Sequence, residues 1–88
     1  MYLHLGKDIT VAKKDVLFIL DMDNSTYSKR TQEFLKKAER EKRLLSVSLF
    51  DLPKSIVAVT EKGRTAVYIS PISPQTLVKR ATEYDFVT

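Results

Sequence analysis

The chain contains no cysteine, no tryptophan, one histidine, two glycines and three prolines among its 88 residues. Without cysteine it can form no disulfide framework, no thiol nucleophile and no cysteine-ligated zinc site. The single histidine, His4, has no second imidazole to share a metal with, so we interpret it as a strand residue. The glycines, Gly6 and Gly63, stand alone and form no glycine-rich phosphate loop. These absences indicate one small globular domain, and we expect no cofactor, no metal and no enzyme activity.

Long apolar runs are also missing. The longest run covers residues 16–20, five positions, whereas a membrane span needs about twenty residues and the core of a signal peptide about seven to fifteen. We therefore expect a cytoplasmic protein with no membrane partner.

The charge is unevenly distributed. Fifteen basic and eleven acidic residues give a net charge of +4, and the window from Lys29 to Arg43 holds seven basic and three acidic residues, so it accounts for the whole excess. A local basic surplus indicates a polyanionic partner or a solvated helix face. Four cations of this window form one stripe opposite the apolar side chains of the predicted helix. The stripe consists of Lys29, Lys36, Arg40 and Arg43.

The hydrophobic periodicity predicts an α+β domain: a small antiparallel-rich β-sheet with one long and one short helix. Capping preferences predict a helix that is capped by Ser28 or Ser25 and ends near Arg43, and a short helix that begins at Ser73 and Pro74. The predicted strands cover residues 2–5, 9–11, 16–20, 45–49, 55–60 and 65–70, and a loop covers residues 21–26. We expect a single domain over residues 1–82 and a flexible tail over residues 83–88.

Three predicted strands are apolar at both odd and even positions. One long and one short helix cover about one face of such a sheet, and an uncovered second face would exceed the apolar patch that monomers tolerate. We therefore expect self-association through an interface that contains Phe18, Val57 and Val67, a pattern that gives no stoichiometry. Because one subunit offers a polyanion only two or three lysines, strong binding of such a partner predicts a homo-oligomer larger than a dimer.

Two aspartates follow the most apolar strand. Asp21 and Asp23 resemble the nucleophile motif of haloacid-dehalogenase-like phosphatases, in which one carboxylate attacks phosphorus beside a magnesium ion. That chemistry needs further carboxylates, a lysine and a doubly wound sheet, for which 88 residues are too few. We interpret the pair as turn-forming and keep a magnesium-dependent phosphatase as a remote alternative.

Three lysines lie in predicted connections between strands, where long side chains can reach phosphates: Lys13, Lys14 and Lys54. They form a candidate DNA-binding surface, separate from the helical stripe.

Four segments resemble a known family. They read MYLHLG at residues 1–6, FLKKAE at 34–39, YISPIS at 68–73 and TLVKR at 76–80. In these segments, and in the order of elements over about residues 1–81, the chain is similar to the bacterial extracellular matrix regulators RemA and RemB, and closer to the RemB branch.

The resemblance implies a cytoplasmic DNA-binding regulator of biofilm-matrix genes that assembles as a closed homo-oligomeric ring on double-stranded DNA. The RemA branch carries DNA-contacting arginines in the loop before the penultimate strand. Here Lys54 occupies one basic position of that loop, whereas Asp51 and Leu52 replace an arginine pair. Lys14 lies beside a second basic position, for which Asp15 is the closer match. A scaffolding or protein-interaction oligomer that does not bind DNA therefore stays open as the alternative.

Overall fold

The computed structural model describes residues 1–25 and 28–83, which form six strands and three α-helices. The strands are β1 (Tyr2–Gly6), β2 (Ile9–Ala12), β3 (Val16–Asp21), β4 (Leu44–Ser46), β5 (Ser55–Glu61) and β6 (Arg64–Ser70). The helices are α1 (Met22–Ser25), α2 (Lys29–Arg40) and α3 (Pro74–Thr82), with a 3-10 turn at Lys13–Asp15. The α+β class rich in antiparallel strands is confirmed. The predicted flexible tail, apart from Glu83, lies outside the described residues.

The strands form two sheets rather than the single sheet expected. β1 and β2 make an antiparallel hairpin, and the other strands make a four-stranded sheet in the order β3-β5-β6-β4. Within that sheet β4 pairs with β6 in parallel, and the other pairs are antiparallel.

The predicted β5–β6 hairpin is confirmed, with continuous register from Ser55 opposite Ser70 to Glu61 opposite Arg64. Its turn residues, Lys62 and Gly63, both have positive φ, 50° and 78°. Two consecutive left-handed residues give the turn a twist that matches the twist of antiparallel strands.

Both faces of the four-stranded sheet are covered within one chain. On one face Val57 and Val59 pack with Leu3, Leu5 and other side chains of the β1–β2 hairpin and α3. On the other face the strands pack against α2, chiefly through Ala38. The N-terminal hairpin therefore covers the second apolar face of the sheet, which we had expected a second subunit to cover.

This arrangement corrects the predicted oligomer interface. Val57 and Val67 are fully buried in the single chain, and they lie on opposite faces of the sheet because Val57 packs against the hairpin and Val67 packs against α2. Neither side chain has solvent-accessible surface through which it could contact a partner. Phe18 is 38% exposed, and its ring lies 5.8 Å from that of Phe34.

The helix boundaries follow local capping. The Ser28 hydroxyl accepts a hydrogen bond from the Thr31 amide at 3.4 Å, and the Ser73 hydroxyl accepts one from the Thr76 amide at 3.3 Å, so both predicted caps are confirmed. α2 ends at Arg40 rather than near Arg43 because the chain turns through Lys42, whose φ is 59°.

Two local predictions are wrong. Within the segment predicted as a loop over residues 21–26, Met22–Ser25 form a one-turn helix, α1, because Asp21 Oδ1 accepts a hydrogen bond from the Asp23 amide at 2.9 Å. Residue 26 lies outside the described residues. The strand predicted over residues 45–49 is the three-residue β4, which ends before the buried Val47.

Candidate nucleic-acid interface

The four-stranded sheet has two ends with different surfaces. Because β3 and β5 are antiparallel, Val16 pairs with Val59 at one end and Asp21 pairs with Ser55 at the other. We call the first the turn end, since it holds the β5–β6 turn at residues 61–64. The second is the loop end, since it holds the connection at residues 47–54.

The candidate DNA-binding lysines are divided between these ends. Lys13 and Lys14 precede β3 at the turn end, and Lys54 precedes β5 at the loop end. The six residues of β3 lie between them, a separation of about 20 Å at the rise of an extended strand. One chain therefore does not bring the three lysines together.

Lys13 and Lys14 also differ from each other. Lys13 is half-buried, and its Nζ donates a hydrogen bond to the carbonyl oxygen of Glu83 at 3.3 Å, just beyond α3. Lys14 is exposed. Of the two, Lys14 is therefore the more accessible to a ligand.

Asp51 holds the connection at the loop end through hydrogen bonds to Ser48. The Ser48 hydroxyl donates to Asp51 Oδ2 at 2.8 Å and accepts from the Asp51 amide at 3.3 Å. Asp51 therefore shapes the connection as a reciprocal turn cap. The Asp51 carboxylate therefore has a structural role at this position.

The same connection presents apolar side chains to solvent. Leu49, Phe50 and Leu52 are 82%, 90% and 77% exposed. The Lys7 ammonium lies 5.6 Å from the centroid of the Phe50 ring, a cation–π contact between the β1–β2 turn and this connection. The loop end is thus apolar at its tip.

The turn end is cationic. Lys42, Arg43, Lys62 and Arg64 line one surface groove of about 270 Å³ between the end of α2 and the β5–β6 turn. Sequence reasoning missed Lys42, Lys62 and Arg64 because the α2–β4 connection and the β5–β6 turn are far apart along the chain. The Lys62-Gly63 pair of the hairpin turn was the available signal, since the tip of a tight hairpin exposes its side chains at a sheet end.

The structure places three of the four cations of the helical stripe on α2. Lys29, Lys36 and Arg40 are exposed on α2, but Arg43 lies beyond the helix. Its Nη1 donates to the Thr65 carbonyl oxygen at 2.5 Å, and its Nε pairs with Glu41 at 2.8 Å. Arg43 therefore ties the end of α2 to β6.

Like Glu41, the carboxylate of Glu61 at the turn end has a partner within the chain. The Tyr68 hydroxyl donates a hydrogen bond to Glu61 Oε2. Burial, that hydrogen bond and the negative charge of Glu61 raise the pKa of Tyr68 to about 12. The phenol stays protonated at physiological pH and holds the Glu61 carboxylate.

The aspartate pair has a local role. Asp21 caps α1 through the Asp23 amide, and no group of three or more His, Cys, Asp or Glu residues that could hold a metal occurs within residues 1–25 and 28–83. In the same residues, no helix combines the length and apolar character that a bilayer crossing needs.

Comparison with known protein families shows which family the chain belongs to. The family model RemA-like, described as extracellular matrix regulatory protein A-like, matches residues 2–81. The chain belongs to this family. It is also 40% identical over 81 residues to Extracellular matrix regulatory protein B of Bacillus subtilis (strain 168), a match that covers 92% of this chain and 90% of that protein. Within the RemA-like family the chain is therefore RemB-like.

Proposed function

We propose that this RemA-like chain regulates the transcription of biofilm and extracellular matrix genes by binding double-stranded DNA as a ring-shaped homo-oligomer in the cytoplasm. Its membership in the family and its 40% identity to a protein named as an extracellular matrix regulator carry the regulatory role. The cationic turn end supports DNA as the partner, because clustered basic side chains at one surface attract the phosphate backbone.

In this proposal phosphate contacts supply most of the affinity. Lys14 is the leading contact in each subunit, since it is exposed at the turn end, and Lys13 lies beside it. Lys54 contributes less because it lies at the other end of the sheet. Contacts to phosphate fix the position of the protein without reading bases, so specificity comes mainly from the ease with which a sequence bends along the ring.

The open edges of the sheet support the ring. β3 and β4 each pair with one neighbour, and apolar side chains project there: Leu17 and Phe18 from β3, and Leu45 from β4. Contact between β3 of one subunit and β4 of the next joins two different surfaces, and such head-to-tail interfaces form a ring when the rotation from one subunit to the next closes. Repetition of one phosphate-binding surface around a ring raises affinity by a factor on the order of 10² to 10⁴.

The test combines a native mass with duplex binding at two salt concentrations. We expect a species larger than a dimer and an affinity that falls steeply with salt, by a log–log slope of about −0.9 for each phosphate neutralised. Lys36→Ala on α2 is the matched control for Lys14→Ala and leaves the slope unchanged. A native mass near 10 kDa at micromolar concentration, or no duplex binding at low salt, would contradict the proposal.

A second candidate function is a scaffolding or protein-interaction oligomer without DNA binding. The loop end favours it, because Asp51 holds the connection and Leu52 is exposed at the two positions where the resemblance implies an arginine pair, and Leu49 and Phe50 beside them are exposed as well. An assembly larger than a dimer that binds no duplex at low salt is the outcome this candidate predicts.

A further inference from the structure

Three lysines adopt a backbone conformation that disfavours them. Among the described residues, those other than glycine with positive φ are Lys7 at 45°, Lys42 at 59° and Lys62 at 50°. Left-handed φ crowds the Cβ of an L-residue against the backbone, and glycine and asparagine adopt it more readily. At all three turns the chain carries lysine where asparagine or glycine would fold more easily. Such a local cost points to a role for the side chain other than folding.

Two of these lysines belong to one surface. Lys42 ends the turn after α2, Lys62 lies at the tip of the β5–β6 hairpin, and both line the same groove together with Arg64. The hydrogen bond from Arg43 to the Thr65 carbonyl oxygen fixes the two turns relative to each other. The third lysine, Lys7, lies at the loop end over the Phe50 ring.

The charges of this groove are available to a ligand. Its lining includes the carboxylate of Glu61, which accepts the Tyr68 hydroxyl, and the neighbouring Glu41 pairs with Arg43. Within residues 1–25 and 28–83, no ion pair or side-chain hydrogen bond engages Lys42, Lys62 or Arg64. All three side chains are exposed.

We infer that Lys42, Lys62 and Arg64 contact the phosphates of duplex DNA and extend the surface of Lys14 across the turn end. The inference rests on the proposed function and names a part of the interface that neither the predicted helical stripe nor the family resemblance included. From β3 to β4 the sheet spans three strand spacings, about 14 Å, which is comparable with the width of about 12 Å of the major groove. Exposed cations spread over that width suit an extended polyanion better than a small enclosed anion.

The left-handed backbone at Lys42 and Lys62 allows each charge to be removed by a substitution that should not destabilise the fold. In the double variant Lys42→Asn and Lys62→Asn, both charges are removed by a residue that tolerates positive φ, so we expect an unchanged or higher melting temperature. For duplex binding, we expect the slope of log affinity against log salt to fall by about 1.8 for each engaged subunit, since each lost phosphate contact removes about 0.9. Lys7→Asn is the matched control, because it makes the same replacement in the same conformation at the loop end and should leave the slope unchanged.

The charge itself is tested by Lys42→Arg with Lys62→Arg, which should retain the slope of the parent protein. The inference is overturned if the double asparagine variant keeps that slope, or if Lys7→Asn lowers it equally. It is also overturned if the slope falls together with the native mass, since lost assembly would then explain the loss. If the parent protein binds and the asparagine variant binds equally, the proposed function stands without this surface. If the parent protein binds no duplex at low salt, both fail.

Discussion

The turn end and the loop end are formed by the same central strands, yet one presents cations and the other presents apolar side chains. At the turn end a tight hairpin and a short helix–strand connection expose Lys42, Lys62 and Arg64. At the loop end a longer connection is held by the Ser48–Asp51 pair and exposes Leu49 and Phe50. The difference teaches that a cationic surface and an apolar surface of one small domain can be separated by the length of a strand.

The largest expected effect is on stability, and it concerns the buried core between the two ends. Val57→Asp places an unpaired carboxylate in the fully buried face beneath the β1–β2 hairpin. We expect a loss on the order of 4 kcal/mol, a large part of the stability of a small domain, so the subunit should unfold as measured by circular dichroism.

Leu17→Asp is the control for that substitution, since Leu17 is 53% exposed on the edge strand β3. This variant should keep the fold and lose the assembly, seen as a fall in native mass. A folded, monomeric Val57→Asp variant would show that the hairpin does not cover this face.

The next largest effect is on duplex binding, and it distinguishes the two ends directly. Lys14→Ala should reduce the salt slope of duplex binding by about 0.9 for each engaged subunit, whereas Lys54→Ala should change it by much less. Lys54 lies beside the structural Asp51 and about 20 Å from the turn end. Equal losses from the two variants would mean that DNA contacts both ends.

A smaller effect is expected on the pH dependence of stability, through the hydrogen bond between Tyr68 and Glu61 at the turn end. The pKa of Tyr68 is about 12 in the folded chain and about 10 when unfolded. The folded state therefore holds the proton more tightly, and this contribution to stability is present below pH 10 and lost as the pH rises from 10 to 12. In urea unfolding at pH 8 to 11, Tyr68→Phe should lose less stability with rising pH than the parent protein. Parallel losses in the two proteins would refute this.

The smallest effect is expected at the loop end. Replacing Leu49, Phe50 and Leu52 together by serine removes exposed side chains, so the free energy of unfolding should change by no more than about 1 kcal/mol, mostly from the lost Lys7–Phe50 contact. The salt slope of duplex binding should stay the same. A fall in native mass or in affinity would identify this tip as an interface.

Local signals predicted most of the fold. The Ser73-Pro74 start of α3, the Ser28 cap of α2 and the β5–β6 hairpin depend on neighbouring residues, and the structure confirms them. The covering of the second sheet face was not predicted, because it depends on where the N-terminal hairpin docks, and no local pattern encodes that.

The site was harder to predict for a related reason. The excess of basic residues between Lys29 and Arg43 indicated a helical stripe, but Arg43 has a structural contact with Thr65. The cationic groove instead joins Lys42 to Lys62 and Arg64, which are distant along the chain. A window of sequence cannot register a charge cluster that only the pairing of β4 with β6 brings together.

Hydrogen–deuterium exchange of the intact assembly, with and without duplex DNA, tests the central claim most directly. The account predicts that DNA slows exchange at residues 12–16, 41–45 and 61–65, all at the turn end, and leaves residues 48–54 unchanged. Protection confined to residues 48–54, or no protection under conditions where the duplex is bound, would contradict it.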